Sequence, residues 1–337
     1  MLLGVDYYPE QWDTSLMDAD MDRILELGCN VIRIGEFAWH RMEKQEGQFD
    51  FSYFDGVIAM AKQKDLQVIF GTPTATPPAW FIAKYPDILS RFPDGSPRAF
   101  GGRHVACYSN PHYLEACRKI ITALAEHYRG EEGIVAWQVD NEIGHEGSDL
   151  CWCDHCRDGF RRHLDKAFAG DINKLNDTFG TAFWSQEYNS FEEIPLPNTT
   201  ITTHNPALRL EWERFCSEKL VDFIRFQADL LHELLPDAVV MHDFPGGGLT
   251  KHVSYADVAA CWIRWLSTTT LCGAARRTSA PSEIAFGWII SGACRARISG
   301  SLRPSWVPRG MISPAFCPGP TRPSCGAGRA WPTAATG

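Results

Sequence analysis

The chain has 337 residues, 45% of them hydrophobic and 22% charged, enough to bury one large α/β barrel or two ordinary domains. Its net charge of −9 speaks against a nucleic-acid role, which needs a basic surface, and no apolar run is long enough for a membrane helix or a signal segment. Twelve cysteines in such a chain predict free thiols and metal binding in a cytoplasmic protein, not a disulfide framework.

Residues 2–8 read as a strand, and residues 14–27 as a helix that stops at Gly28, a residue suited to a C-cap. Further strands are predicted at 30–38, 66–73, 133–140 and 237–244, with helices at 52–64, 111–129, 156–168 and 206–235. Most of these strands are short and continuously apolar, as a parallel sheet buried on both faces requires. The alternation predicts βαβ units and a (β/α)8 TIM barrel, incomplete here because only about five strands are legible. A doubly wound sheet is the alternative. Against it, no Gly-x-Gly-x-x-Gly follows the first strand, and Gly246-Gly-Gly248 lacks the P-loop lysine pattern.

The stretch Ile134-Val-Ala-Trp-Gln-Val-Asp-Asn-Glu142 is an apolar run that ends in an amide and a carboxylate, Asn141 and Glu142. Barrel enzymes build their sites at the carboxyl ends of their strands, which makes Glu142 a candidate general acid/base. A solvated acidic turn is the plainer alternative for such a pair taken alone. Asp6, Tyr7, Tyr8, Glu36, Trp39, Arg103 and Asp243 fall near predicted strand ends as well. Aromatic faces stack on sugar rings, while amide, guanidinium and carboxylate groups bond hydroxyls, so the collection suits a carbohydrate. Trp80, after Pro77-Pro78, either walls that pocket or caps the core.

Nine residues beyond Glu142, Cys151-Trp-Cys153-Asp-His-Cys156 places three thiols within six positions, and Cys107 is a plausible fourth. Four thiolates suit tetrahedral zinc and leave no open position for water, so the metal is expected to staple loops and do no chemistry. His155, inside the cluster, is the weaker candidate ligand.

Five segments together resemble the family-42 glycoside hydrolases, which are β-galactosidases. They are Gly4-Val-Asp-Tyr-Tyr-Pro-Glu-Gln-Trp12, Asn30-Val-Ile-Arg-Ile-Gly-Glu-Phe-Ala-Trp39, Gly71-Thr-Pro-Thr-Ala-Thr-Pro-Pro-Ala-Trp80, Gln138-Val-Asp-Asn-Glu142 and the cysteine cluster. The resemblance runs from residue 1 to about 260. It implies a barrel that hydrolyses terminal β-galactosides with retention, with Glu142 as acid/base and with Arg103 and Asn141 binding substrate. It also implies zinc held by Cys107, Cys151, Cys153 and Cys156, and a homotrimer with further domains after the barrel.

The chain departs from that family at about residue 262. Residues 262–337 hold nine Arg, no Lys and one acid, Glu283, leaving residues 1–261 with 23 basic and 40 acidic residues, a net −17. The expected organisation is a catalytic barrel portion over 1–261 and an aberrant tail over 262–337. Reading each codon one base earlier lets residues 262–277 take the form of the family's sixth strand and its Asp-Asn-Tyr-Pro loop. Residues 281–287 then stand in frame as written. From Trp288 the same shift yields a strand ending in Thr-Glu-Ala, as the family's nucleophile requires, with the glutamate codon straddling Leu302 and Arg303. The tail therefore reads as frameshifted. A natural Arg-rich disordered tail explains its composition but not this order. Without the nucleophile and with strand edges left bare, little hydrolysis and poor folding are expected of the chain as written.

Overall fold

The computed structural model describes residues 2–244 and 252–261, together with the backbone of two strands at 264–266 and 287–290. Gly246-Gly-Gly248 and the segment around Glu283 lie outside the described residues. The chain divides into two compact units, Met1–Gly292 and Ala293–Gly337, and every described residue belongs to the first.

Strands β1 (Leu2–Asp6), β2 (Val31–Ile34), β3 (Gln67–Gly71), β4 (Ile134–Gln138), β5 (Val240–Asp243) and β6 (Arg264–Leu266) pair side by side in chain order, all parallel. Helices cross between them: α1 (Met17–Glu26), α2 (Ser52–Gln63), α3 (Pro111–His127), then α4 (Asp154–Ala167), α5 (Ile172–Phe179) and α6 (Pro206–Leu234), and finally α7 (Tyr255–Ala259). This is an incomplete TIM barrel, with strands in sequential order and helices outside. All five expected strands are present. Each is shorter than its apolar run, because the chain turns into a loop as soon as the ladder ends. Gly35, for example, takes φ +92° immediately after β2.

Two short strands fall where the sequence carries no strand pattern. β6 extends the parallel order beyond β5, and β7 (Gly287–Ile290) runs antiparallel along β1, with Leu2 opposite Ile290. The first edge is therefore covered, contrary to the expectation that it stays bare, because an extended segment satisfies an open ladder whatever its side chains.

Helix boundaries follow local chemistry. Gly28, at φ +79°, ends α1 as expected. Asn110 and Asn205 precede Pro111 and Pro206, and each caps its helix by accepting two backbone N–H bonds, at 2.9 and 3.2 Å and at 2.9 and 3.0 Å. No helix among the described residues is long and apolar enough to cross a membrane.

Two cores result. The larger packs the helices against the sheet around Trp39, Phe54, Phe70, Tyr113 and Phe223. A smaller one gathers Cys107, Cys151, Cys153 and Cys156 with Phe160, Leu164, Leu175 and Trp212. The 29-residue α6 serves both, with Leu208, Trp212 and Cys216 in the smaller core and Leu220 through Leu231 in the larger.

Gly71 ends β3 against the backbone of Glu36, where a Cβ would stand 2.5 Å from the Glu36 Cβ and 2.9 Å from its Cα and N. Backbone cannot yield as a side-chain tip can. Gly71→Ala is expected to lower stability by about 1–3 kcal/mol, read as a lower urea midpoint with unchanged slope.

Candidate active site and cysteine centre

The carboxyl ends of β1, β2, β4 and β5 converge on one buried guanidinium. Arg33, in the middle of β2 and only 4% exposed, places Nε 2.9 Å from Asp6 Oδ1 and 2.8 Å from Glu36 Oε1. Its Nη1 donates to Gln138 Oε1 at 2.7 Å and to Asp243 Oδ2 at 3.1 Å. Tyr8 donates its hydroxyl to Glu36 Oε1 at 2.9 Å. Burial alone would favour loss of the Arg33 proton, but Glu36, Asp243 and Asp6 outweigh it and drive the pKa up.

Asp243 carries this network to the candidate acid/base. Its Oδ1 accepts the backbone N–H of Glu142 at 3.0 Å, and its Oδ2 accepts the Asn141 amide at 3.0 Å. Asn141 in turn accepts from Arg103 Nη1 at 2.8 Å, while Arg103 Nη2 meets Glu142 Oε2 at 2.8 Å. The structure thus brings Arg103, Asn141 and Glu142 into one bonded constellation. Arg103 Nε also reaches Glu146 Oε2 at 3.1 Å, and that bond holds the Glu146 carboxyl below its ordinary range.

The turn that presents Glu142 is strained. Asp140 and Glu142 adopt φ of +51° and +41°, in the left-handed region, at roughly 1–3 kcal/mol each. Buried hydrogen bonds hold the turn in place. Thr74 Oγ1 and the Asn141 N–H donate to the Asp140 carboxylate at 2.6 and 2.7 Å. Burial raises the Asp140 pKa, yet His104, Thr74 and the Asn141 N–H together bring it below the usual carboxylate value. His242 donates from Nδ1 to Val139 O at 2.7 Å and accepts the Ile143 N–H at Nε2, at 3.4 Å.

Sequence reasoning passed over Arg33, Gln138, Asp140 and His104. Arg33 carried a signal, since a cation inside Val-Ile-Arg-Ile of a strand buried on both faces must have anions around it. Trp39 and Tyr7 are corrected in the other direction. Trp39 is fully buried and donates Nε1 to Glu43 Oε2 at 2.7 Å, and Tyr7 is 4% exposed, so both are core residues with no ring face to offer a sugar. Trp80 packs half-buried on the core and donates to Glu43 O at 2.9 Å.

The four cysteines come together as a second centre. The sulfurs of Cys107, Cys151, Cys153 and Cys156 all lie within 4.8 Å of one another and are buried, so the cluster can hold a metal ion. His155, exposed at the start of α4, is not one of the four. Hydrogen bonds from its three sulfur neighbours push the Cys107 thiol up, while its neighbours pull Cys151 down. Four such sulfurs cannot all ionise without a cation among them, and a four-sulfur donor set suits zinc.

The profile of family-42 glycoside hydrolases, described as beta-galactosidase, matches residues 6–286. The chain belongs to this family. A Thermus thermophilus beta-galactosidase is 42% identical over 245 residues, which cover 73% of this chain and 38% of that protein, and BgaA of a Thermus species is 41% identical over the same shares. Among solved structures, the Halorubrum lacusprofundi beta-galactosidase superposes with a TM-score of 0.76 at 36% identity, covering 80% of this chain and 40% of that one. The Marinomonas ef1 beta-galactosidase gives 0.74 at 34%, covering 79% and 40%. The chain spans about two-fifths of the length of these family members.

Two predictions follow from the site. Arg33→Met removes the guanidinium from among Asp6, Glu36 and Asp243 and is expected to cost about 3–5 kcal/mol, measured by urea denaturation. Glu10, just past β1, has both carboxyl oxygens buried, and burial, aided by the charge of Glu36, raises its pKa from 4.5 to about 7 against the opposing pull of its own backbone N–H. A raised carboxyl keeps its proton in the fold, so its contribution to stability is full below about 4.5 and is lost as pH rises through about 7. Denaturation midpoints should fall across that window in the native chain and stay flatter in Glu10→Gln. Parallel profiles would refute this.

Proposed function

We propose that the chain is part of the catalytic barrel of a retaining β-galactosidase, which removes terminal non-reducing β-D-galactose residues from β-galactosides. The observation that carries this reading is the Arg103, Asn141 and Glu142 constellation at the end of β4, in a chain of family 42. Glu142 is the acid/base. It protonates the leaving oxygen and later takes a proton from water. Arg103 and Asn141 bind the sugar and hold Glu142 in place. The acidic ring of Asp6, Glu36 and Asp243 favours the positive charge that develops on the sugar in the transition state.

Retention requires a second carboxylate roughly 5–5.5 Å from the first, to attack the anomeric carbon. Asp243 is unsuited because both of its oxygens already serve Glu142, Asn141 and Arg33. Glu36 is tied to Arg33 and Tyr8 through one oxygen. Glu283 is the sole acid of residues 262–337, and by resemblance it belongs to a helix ahead of the nucleophile strand. The nucleophile is therefore absent from this polypeptide, and residues 262–337 are a largely frameshifted reading of it. The family match reaches residue 286 and so takes in the stretch 281–286 that reads in frame.

Cys107, Cys151, Cys153 and Cys156 hold structural zinc, which pins the loop before α3 to the start of α4. The soluble, cytoplasmic trimer of the family is the assembly expected of the frame-restored protein. The second reading is a zinc-stapled remnant that holds sugar through Arg103, Asn141 and nearby aromatics but does not turn it over.

The chain as written should release no nitrophenol from a nitrophenyl β-galactoside and form no covalent adduct with an activated fluorosugar. The frame-restored chain should do both, and Glu142→Gln in that background should lose about 10²–10⁴ in kcat. Robust hydrolysis by protein whose intact mass includes the 262–337 tail would overturn this account.

A further inference from the structure

The active site makes no use of a buried ammonium on α6. Lys219 is 7% exposed, and its Nζ lies 3.7 Å from Cys156 Sγ. Among the described residues it forms no ion pair with a carboxylate, although Glu218 and Asp222 lie on the same helix. An ammonium is buried at heavy cost unless an anion faces it. Among the described residues the group that meets the ammonium is the Cys156 sulfur of the cysteine centre, with the buried Cys216 thiol one helical turn away on α6.

Four thiolates around a divalent cation carry a net charge of −2, and this centre lies in an apolar core formed by Phe160, Leu164, Leu175 and Trp212. Backbone N–H groups meet part of that charge, since Arg91 N donates to Cys151 Sγ and Ser109 N to Cys107 Sγ, both at 3.4 Å. Cys156 receives a side-chain cation instead.

We propose that Lys219 is a positioning residue of the four-cysteine metal centre. Its ammonium donates a charge-assisted N–H···S bond to the Cys156 thiolate, offsets one of the two excess negative charges and so sets the affinity for the metal. Partners of this kind, one shell outside the ligands, orient the ligand and tune the ion, and their loss commonly weakens binding 10–100-fold. The inference rests on the metal centre and is independent of the galactosidase reading.

The test uses the full chain, expressed with zinc and compared with Lys219→Met, Lys219→Gln and Lys219→Arg. Zinc content is measured by elemental analysis, affinity by competition with a chromophoric chelator, and thiolate ligation by the sulfur-to-cobalt charge-transfer band after cobalt substitution. Lys219→Met should bind zinc roughly 10–100-fold more weakly and shift the cobalt band, while Lys219→Arg, which keeps a charged donor, stays near the native chain. If Lys219→Met is insoluble, Lys219→Gln supplies the same comparison and should show a smaller loss. Native affinity and an unshifted band in the neutral variants would overturn the role of Lys219 and leave the metal centre standing. A native chain that binds no metal would overturn both.

Discussion

A guanidinium buried in the middle of a parallel strand must be surrounded by anions, and that requirement organises the carboxyl-end face of this barrel. Arg33 draws Asp6 from β1, Glu36 from the end of β2 and Asp243 from β5 onto one point, with Gln138 of β4 joining them. Asp243 then passes the constraint outward by holding the Glu142 backbone and the Asn141 amide. The left-handed turn at Asp140 and Glu142 is tolerable because so many bonds fix it. Glycine at position 71 belongs to the same design, since only a residue without Cβ lets β3 lie against Glu36.

The cysteine centre is the anionic counterpart of that arrangement. There, four clustered sulfurs can hold a metal ion, and a buried lysine faces one of them. The two centres are joined by α6, whose first turns pack on the cysteines and whose later turns pack on the barrel. Thr72 ties the second half of α6 to the turn that presents Glu142, donating to Gln227 and accepting the Asp140 N–H, both at 2.7 Å. Loss of order at the cysteine centre would therefore be felt along a continuous helix that reaches the turn before Glu142 through Gln227.

Much of this was legible in the sequence, for reasons that differ by element. Continuous apolar runs marked the five parallel strands, because burial on both faces leaves no room for alternation. Cys151, Cys153 and Cys156 stood out by spacing alone, and Glu142 by ending a strand. Arg33 announced that anions must surround it, and Glu36 stands three residues on, but Asp243, 210 residues away, gave no sign of being one of them. His104 and Asp140 matter through backbone geometry that no side-chain pattern announces. Trp39 misled because its ring resembles a sugar platform in sequence, whereas the fold turns it inward to Glu43. The strands at 264–266 and 287–290 carried no signal, since an open ladder recruits backbone and not side chains.

The central claim is that residues 262–337 are a displaced reading of a family-42 barrel whose first part is intact. Its most direct test is the DNA across the codons for residues 255–310, read on both strands from the source. The account predicts a base lost or gained near codons 262, 281 and 288, with a glutamate codon restored across Leu302 and Arg303. An unbroken frame that encodes the tail as written would contradict it.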